Sequence, residues 1–520
     1  MTEKVIVTNL TALKQKYGSG LKRIRAAVRR LIAADRKRAV RTRLVALDNK
    51  ATMKKLGAPA VTDAADPEQN KNAIDAIFKR LTPEYLLILG AVDVVPHQDL
   101  KNPVYDGDDD PDEFAYSDMP YACEAPYSTK PQDFIAATRV VGRLPDATGG
   151  SDPAYLVGLL NTAATWQSLP DQSYSAYLGF STQTWEKSTR LSLRKVFGSG
   201  DDLQLSPPRG SKWKAAQLAR LAHFINCHGA PADFRFYGER KSDGDQPVSH
   251  DARWIDGKIT RGTVAAAECC YGSELYDPAL ATGHAGICST YLGGGAYGFV
   301  GATTIAYGPN ARNDDADLMC QFFLRHVLAG ASIGRAFLEA RQEFAQSPAE
   351  LDPFNIKTLA QFTLLGDPSI QPVTSMEDST PHAARRKTGK RAVAAAAATA
   401  GRADRRRKLM NTGLTIEHTQ ARAVRSGQAR VPPGVKRALL KLARDSRMLR
   451  PRILSYQIQR PAAPPRPTAA KALARKTAAP TGFHVVLGKQ RRKGVTPAVV
   501  GIVAKEVAGV IVSTREVFRR

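Results

Sequence analysis

Short apolar segments alternate with amphipathic segments along the first part of the chain, and this alternation limits the possible folds more than any other feature. Strand patterning occurs at 4–9, 43–48 and 85–96, and apolar residues at helical spacing occur at 20–38 and 69–81. Strands that alternate with helices form parallel βαβ units. We therefore expect an α/β fold with a mostly parallel sheet.

Two further apolar segments, 223–230 (HFINCHGA) and 264–272 (VAAAECCYG), each end in a reactive side chain close to a glycine. His228 precedes Gly229 in the first segment, and Cys270 lies two residues before a glycine in the second. If the strands are parallel, both side chains emerge at the carboxyl edge of the sheet, where open α/β sheets bind ligands. A thiol near an imidazole indicates nucleophilic chemistry, because the thiolate attacks and the histidine transfers protons.

The positive charge of the chain lies in its last part. The formal net charge is +26, and residues 376–520 contain 33 Lys and Arg against 7 Asp and Glu, which leaves 42 of each sign in residues 1–375. A strongly basic tail indicates contact with nucleic acid, an anionic surface or an acidic partner. The tail contains few aromatic residues for base stacking, so we expect any nucleic-acid binding to be driven by phosphate contacts.

Several function classes find no support in the sequence. The six cysteines form no CxxC pair and have no metal-ligand spacing, and there is no GxSxG elbow or GxxxxGK[ST] loop. No metal and no required cofactor is therefore predicted. The first ten residues lack a charged-then-apolar leader, and no apolar run is long enough for a transmembrane segment. We expect a cytoplasmic protein with reduced thiols.

An acidic loop at 105–118 has partial calcium-loop spacing at Asp106, Asp108 and Asp110. Pro111 stands where such a loop needs glycine, and Ser117 stands where a bidentate glutamate belongs. We interpret the loop as solvated and keep a structural Ca²⁺ as the alternative.

Composition divides the chain into four predicted parts. Residues 1–150 form an N-terminal α/β subdomain and 151–375 a catalytic subdomain, followed by a basic linker at 376–450 that is partly disordered or helical. Residues 451–520 form a small β-rich basic module.

The residues around the two reactive side chains resemble a known family. A strand followed by His-Gly, and a second strand followed by Cys-x-Gly, are typical of caspase-like cysteine peptidases, and ECCYGSEL is similar to the nucleophile segment of caspases. The wider frame over residues 85–373 is more similar to the gingipain-type branch, because matching runs occur in the family's order: YLLILGAVDVVP, TRVVGRLP, GGAYGFVGATTIAYGP, GASIGRAFLEA and FTLLGDPSI. The resemblance implies a caspase-like three-layer sandwich.

The resemblance also implies the site residues. Cys270 would be the nucleophile and His228 the proton donor to the leaving amine. The backbone N–H groups of Gly229 and Cys270 would form the oxyanion hole. Adjacent side chains of a strand point to opposite faces, so only one of Cys269 and Cys270 can meet His228, and the spacing to glycine favours Cys270.

The substrate pocket is less defined by the sequence. Gingipain-like enzymes use an acidic group to bind Arg or Lys, and caspases use arginines to bind Asp. Asp133 stands close to where the family implies a pocket acid, and Asp118 is the second candidate. Arg139 would instead favour an acidic substrate, and Asp133 as an ordinary loop residue is an equally good interpretation.

The sequence thus predicts a cysteine endopeptidase that acts on proteins or peptides, with cleavage after Arg or Lys. Such specificity would make the linker self-cleavable at Arg386, Lys390–Arg391 and Arg405–Lys408. The alternative is a catalytically silent, caspase-like scaffold or sensor whose basic tail, residues 376–520, binds nucleic acid or acidic partners.

Overall fold

The structure is a computed structural model that describes residues 2–374, 388–426, 431–461, 480–492 and 495–520. The predicted cleavage site at Arg386 lies outside the described residues, as does most of the Pro- and Ala-rich segment 461–480.

The helices account for the helical spacing in the sequence. They are α1 Leu10–Tyr17, α2 Leu21–Lys37, α3 Lys50–Leu56, α4 Pro67–Leu81, α5 Ala154–Ala164, α6 Glu186–Phe197, α7 Ala215–Leu218, α8 Ala252–Ile255, α9 Ile287–Gly293, α10 Asp315–Leu328, α11 Ile333–Gln346, α12 Pro353–Gln361, α13 Thr388–Thr419 and α14 Pro433–Asp445. None of the helices in the described part of the chain combines the length and the apolar character needed to cross a bilayer.

The strands fall into two large sheets and two small ones. They are β1 Thr2–Thr8, β2 Val40–Ala46, β3 Tyr85–Leu89, β4 Gln98–Lys101, β5 Phe114–Ser117, β6 Val140–Leu144, β7 Tyr177–Thr182, β8 Gln204–Ser206, β9 Ala222–Asn226, β10 His228–Gly229, β11 Arg235–Tyr237, β12 Val248–Asp251, β13 Val264–Ala267, β14 Gly298–Ala302, β15 Tyr307–Gly308, β16 Glu350–Leu351, β17 Phe362–Leu365, β18 Ala421–Arg425, β19 Met448–Gln459, β20 Thr481–Arg492, β21 Val495–Val507 and β22 Val510–Arg519.

Local sequence signals define the helix ends. Asp66 caps α4 by accepting from the Gln69 N–H at 3.0 Å, and Pro67 occupies the first helical position. Ser332 caps α11 in the same way. Gly198 ends α6 with a φ of 81°, a left-handed conformation that glycine adopts at little cost.

The central sheet has ten strands in the order β2-β1-β3-β6-β17-β14-β13-β9-β7-β8. All neighbouring pairs are parallel except β14 with β17, so two parallel halves of five strands run in opposite directions. This confirms the predicted α/β fold with a mostly parallel sheet. One hydrophobic core extends across both halves, and the predicted division at residue 150 stays a prediction.

The structure differs from the sequence-based expectation at β17. The sequence of 355–364 predicts one short helix, but α12 ends at Gln361 and residues 362–365 enter the centre of the sheet as its antiparallel junction. All four residues of β17 are buried. Periodicity alone does not separate a short, fully buried strand from the end of a helix.

The basic tail folds onto the rest of the chain. Strands β18 to β22 are five adjacent strands of a seven-stranded sheet, whose order is β15-β22-β21-β20-β19-β18-β16. The two outer strands, β15 and β16, come from the segment before residue 375, so each edge of the tail's sheet is paired with the body. The predicted linker contains α13, and the predicted β-rich module supplies β19 to β22.

Candidate active site

The strands that carry the two reactive residues are neighbours in the central sheet. β9 and β13 are parallel, with Ala222 opposite Val264 and Ile225 opposite Ala267. His228 follows β9 and Cys270 follows β13, so both residues emerge at the same edge of the sheet. The sequence predicts both residues at this edge.

Cys270 is completely buried, and its sulfur contacts the backbone of two other segments. The Ala306 N–H donates to the sulfur at 3.2 Å, and the thiol donates to the carbonyl oxygen of Arg520, the last residue of the sequence. Burial raises the pKa of the Cys270 thiol, while the nearby Arg519 guanidinium acts in the opposite direction. The thiol is therefore protonated at neutral pH while Arg520 is in contact with it.

The neighbouring thiol of Cys269 has a different environment. It is fully buried near Cys227, and burial raises its pKa well above the ordinary value. Of the two adjacent cysteines, Cys270 is the one whose sulfur contacts the backbone of Arg520.

His228 is held from two sides. Its Nε2 lies 3.0 Å from Oε2 of Glu239, and its ring lies edge-on to the Trp185 indole, with 4.4 Å between the ring centroids. Among the described residues, no hydrogen bond joins the His228 ring to the Cys270 sulfur. With Nε2 facing Glu239, Nδ1 is the ring nitrogen left for proton transfer.

Gly229 brings the backbones of the two reactive segments together. A Cβ atom at this position would lie 1.8 Å from the carbonyl oxygen of Cys270 and 3.4 Å from its backbone nitrogen. Any side chain here would collide with the nucleophile segment, so glycine is required for this close approach. The assignment of the Gly229 and Cys270 N–H groups as an oxyanion hole stays a prediction.

The Arg520 side chain fills a pocket next to Cys270. Its guanidinium is fully buried, with Nη2 at 2.8 Å from Oδ2 of Asp317 and 3.6 Å from Oε2 of Glu268. Nη2 also donates to the Pro309 carbonyl oxygen at 3.0 Å, and the guanidinium carbon lies 4.5 Å from the centre of the Trp185 ring. Since Trp185 also contacts His228, this indole connects the pocket to the histidine.

Gly308 makes room for this guanidinium. A Cβ atom at this position would lie 2.3 Å from Nη2 and 2.8 Å from Cζ of Arg520. The pocket wall therefore depends on the absence of a side chain at this position.

The pocket carboxylates suit a cation. Burial, followed by the neighbouring Asp317 charge, raises the pKa of Glu268 well above its ordinary value. Burial also raises the pKa of Asp317, while Arg520 lowers it. Because Asp317 makes the shorter contact with the guanidinium, we assign the single negative charge to Asp317 and the retained proton to Glu268.

The acidic residues chosen from the sequence for the pocket lie elsewhere. Asp118 is buried in an ion pair with Arg143, with Nη2 and Oδ1 2.5 Å apart. Asp133 accepts a hydrogen bond from Ser128 at 2.6 Å and lines a cleft with Glu417 and Arg422. Neither contacts Arg520, and their assignment to the substrate pocket stays a prediction.

Arg139, the residue that would have favoured an acidic substrate, is also engaged elsewhere. Its Nη1 lies 2.5 Å from Oδ1 of Asp75, and its guanidinium stacks over the Phe78 ring.

The acidic loop does not converge on a cation position. Asp110 is buried in an ion pair with Lys357, Asp108 lies 3.4 Å from Arg452, and Asp106 accepts from backbone N–H groups of its own loop. In the part of the chain that the structure describes, no three His, Cys, Asp or Glu side chains are grouped to hold a metal ion. The residues do not fit the Ca²⁺ alternative.

Comparison with known proteins identifies a family over part of the chain. Residues 241–373 match the family model of peptidase family C25. This match confirms the resemblance to the gingipain branch of the caspase-like peptidases over that segment, which contains Cys270, Gly308 and Asp317. It supports peptidase chemistry for the chain.

The other comparisons add less. No curated protein matches the sequence. A solved structure described as "Structure of Protease" aligns over 99% of this chain and 97% of its own, at 11% identity and a TM-score of 0.47. That similarity is too weak to carry an argument about this C25-like chain.

Sequence reasoning placed His228 and Cys270 at one edge of the sheet but did not name the residues around Arg520. Glu268 lies two residues before Cys270, the spacing that places two side chains on one face of an extended segment, and this signal was available. Asp317 and Trp185 are distant in sequence and are brought to the pocket by α10 and by the turn before α6. No local pattern connects them to Cys270.

Proposed function

We propose that this chain is a cysteine endopeptidase that cleaves peptide bonds after arginine, and less efficiently after lysine. The observation that carries the proposal is the position of Arg520: its carbonyl oxygen contacts the Cys270 sulfur while its guanidinium is buried against Asp317. A peptide bond following an arginine in this position would present its carbonyl carbon to the thiolate.

The proposed reaction uses two side chains. The Cys270 thiol gives its proton to His228, and the thiolate attacks the scissile carbonyl carbon to form a tetrahedral oxyanion. The C–N bond then breaks, His228 protonates the leaving amine, and a thioester remains on Cys270. Water hydrolyses the thioester with His228 as the base, which releases the carboxylate product and restores the thiol.

Fixed donors would stabilise the oxyanion. The N–H groups of Gly229 and Cys270 are the candidates, and such a donor typically contributes about 10²–10³ in rate. Oε2 of Glu239 lies 3.0 Å from Nε2 of His228, and we assign Glu239 as a positioning residue that orients this ring.

The preference for arginine over lysine follows from the shape of the pocket. The guanidinium fork places Nη2 between Asp317 and the Pro309 carbonyl oxygen while its plane contacts the Trp185 ring. An ammonium group has no such plane to stack on an indole, so a lysine would lose the Trp185 contact.

A peptide library that varies the residue before the scissile bond tests this function. It would be applied to the intact chain and to Arg520→Ala, in which the pocket is vacated. We expect turnover with Arg above Lys, none with Asp, loss of activity in Cys270→Ala and retention in the matched control Cys269→Ala. If neither protein cleaves any peptide, the result supports the alternative of a catalytically silent scaffold.

The ion pairs of the basic tail bear on the scaffold alternative, in which the tail binds nucleic acid or acidic partners. Arg515 pairs with Asp315 and Asp352, and Arg520 pairs with Asp317, so part of the tail's charge is matched within the chain itself. These pairs leave fewer cations for nucleic acid or an acidic partner than the composition suggests. Such partners, and a cytoplasmic location, remain proposals that salt-dependent binding and cell fractionation would test.

Self-processing of the linker also remains a proposal. Lys390–Arg391 and Arg405–Lys408 lie within α13, and a helical segment has to unfold before it can enter a groove that binds extended chains. Mass spectrometry of the incubated protein, with Cys270→Ala as the control, would detect the fragments.

A further inference from the structure

The last strand of the chain lies where an extended peptide would bind. β22 pairs antiparallel with β15, with Phe518 opposite Gly308 and Arg519 opposite Tyr307, and the Arg520 N–H donates to the Ala306 carbonyl oxygen at 2.9 Å. Main-chain pairing with an exposed strand is a common way for proteins to bind extended peptides.

Two arginines, the buried Arg520 and the partly buried Arg515, anchor this strand to the body. Arg520 fills the pocket of Glu268 and Asp317, and five residues earlier Arg515 lies among three carboxylates. Its Nη1 is 2.6 Å from Oδ2 of Asp315 and its Nη2 is 2.6 Å from Oδ2 of Asp352, with Asp314 at 3.4 Å.

The position of the strand has a direct consequence for the nucleophile. Cys270 has no exposed surface, and the carbonyl group of Arg520 contacts its sulfur. A second peptide cannot reach the sulfur or the Asp317 carboxylate while Arg520 is in place.

We propose that residues 518–520 act as a tethered, substrate-like inhibitor of the peptidase, held in place by the Arg515 anchor, and that activity requires their release from the groove. The inhibitory role rests on the proposed peptidase function, whereas the covering of Cys270 by residues 518–520 does not depend on it. The inhibitor belongs to the same chain, so its effective concentration is on the order of millimolar, and a substrate at micromolar concentration competes poorly.

The strand is also part of the tail's own sheet, which determines how the inference is tested. β22 pairs with β21 from Val510 to Phe518, so removal of the whole strand would expose an edge of that sheet. Arg520→Ala removes the pocket contact and leaves the pairing intact. Deletion of residues 518–520 provides a second variant, and Thr514→Ala, at an exposed position of the same strand, is the matched control.

The first measurement is the rate of Cys270 alkylation by iodoacetamide, read by mass spectrometry of the peptide that contains residue 270. We expect alkylation about tenfold or more faster in Arg520→Ala and in the deletion variant than in the intact chain or Thr514→Ala. Equal rates in all four proteins would overturn the inference, whether or not the protein is a peptidase.

The second measurement is hydrolysis of an arginyl peptide by the same four proteins. Turnover that rises at least about tenfold on loss of Arg520 supports both the inference and the proposed function. Turnover that is equal in all four proteins supports the peptidase and overturns the inhibitor. Faster alkylation without turnover in any variant supports the covering strand and overturns the proposed function.

Discussion

The two carboxylates of the arginine pocket should respond very differently to neutralisation. Asp317 lies 2.8 Å from the Arg520 guanidinium, both side chains have 0% exposure, and we assign the negative charge of the pocket to this residue. Loss of one partner from a buried ion pair costs about 3–5 kcal/mol. In Asp317→Asn we therefore expect kcat/KM for an arginyl peptide to fall about 10²–10⁴-fold.

Glu268 should tolerate the same change. Burial and the Asp317 charge raise its pKa well above the ordinary value, and we assign the proton of the pair to Glu268, so the neutral glutamine is a close substitute in shape and charge. We expect Glu268→Gln to lower kcat/KM by less than about tenfold, because no net charge is removed from the pocket.

The assay is steady-state hydrolysis of matched peptides with Arg or Gln before the scissile bond. Both substitutions are placed in the Arg520→Ala background, so that the chain's own arginine does not compete. The glutaminyl peptide is the control for general damage, and its kcat/KM should not fall in Asp317→Asn. Equal losses in the two variants, or losses below tenfold in both, would refute the charge assignment.

Three further predictions follow from individual contacts. Glu239→Gln removes the carboxylate that faces His228 Nε2 at 3.0 Å, so kcat should fall by up to about 10²-fold while KM changes little, and steady-state kinetics would check this. Burial raises the pKa of Glu274 from 4.5 to about 7, so the neutral form contributes stability that is fully present below pH 4.5 and is lost as pH rises through about 7. Chemical denaturation at several pH values should show Glu274→Gln lacking this loss, which amounts to about 3 kcal/mol, and parallel pH profiles would contradict the reasoning. Gly308→Ala places a Cβ against the guanidinium, so cleavage after Arg should fall at least about tenfold relative to cleavage after a smaller residue, with peptide competition as the assay.

The sequence predicted the frame of the fold because the responsible signals are local. The apolar runs of β1, β3, β9 and β13 and the helical spacing of α2 and α4 are each contained in a short segment, and the structure has strands and helices there. β17 was mistaken for the end of a helix because four consecutive buried residues carry no period that distinguishes the two.

The sequence by itself determined where a thiol and an imidazole would leave the sheet. His228 and Cys270 each follow an apolar strand and precede a glycine nearby, and parallel pairing of those strands is sufficient to bring them to one edge. Gly229 could be recognised for the same reason, since the need for a small residue after the histidine is a local steric demand.

Only the tertiary structure decided what surrounds them. The pocket combines Trp185, Glu268, Gly308, Asp317 and the side chain of Arg520, and these residues come from segments as far apart as 185 and 520. Composition showed a basic tail that could have bound any polyanion. Asp317, buried beside Glu268, turns one arginine of that tail into an internal partner, because a charged carboxylate that is shielded from water requires a cation.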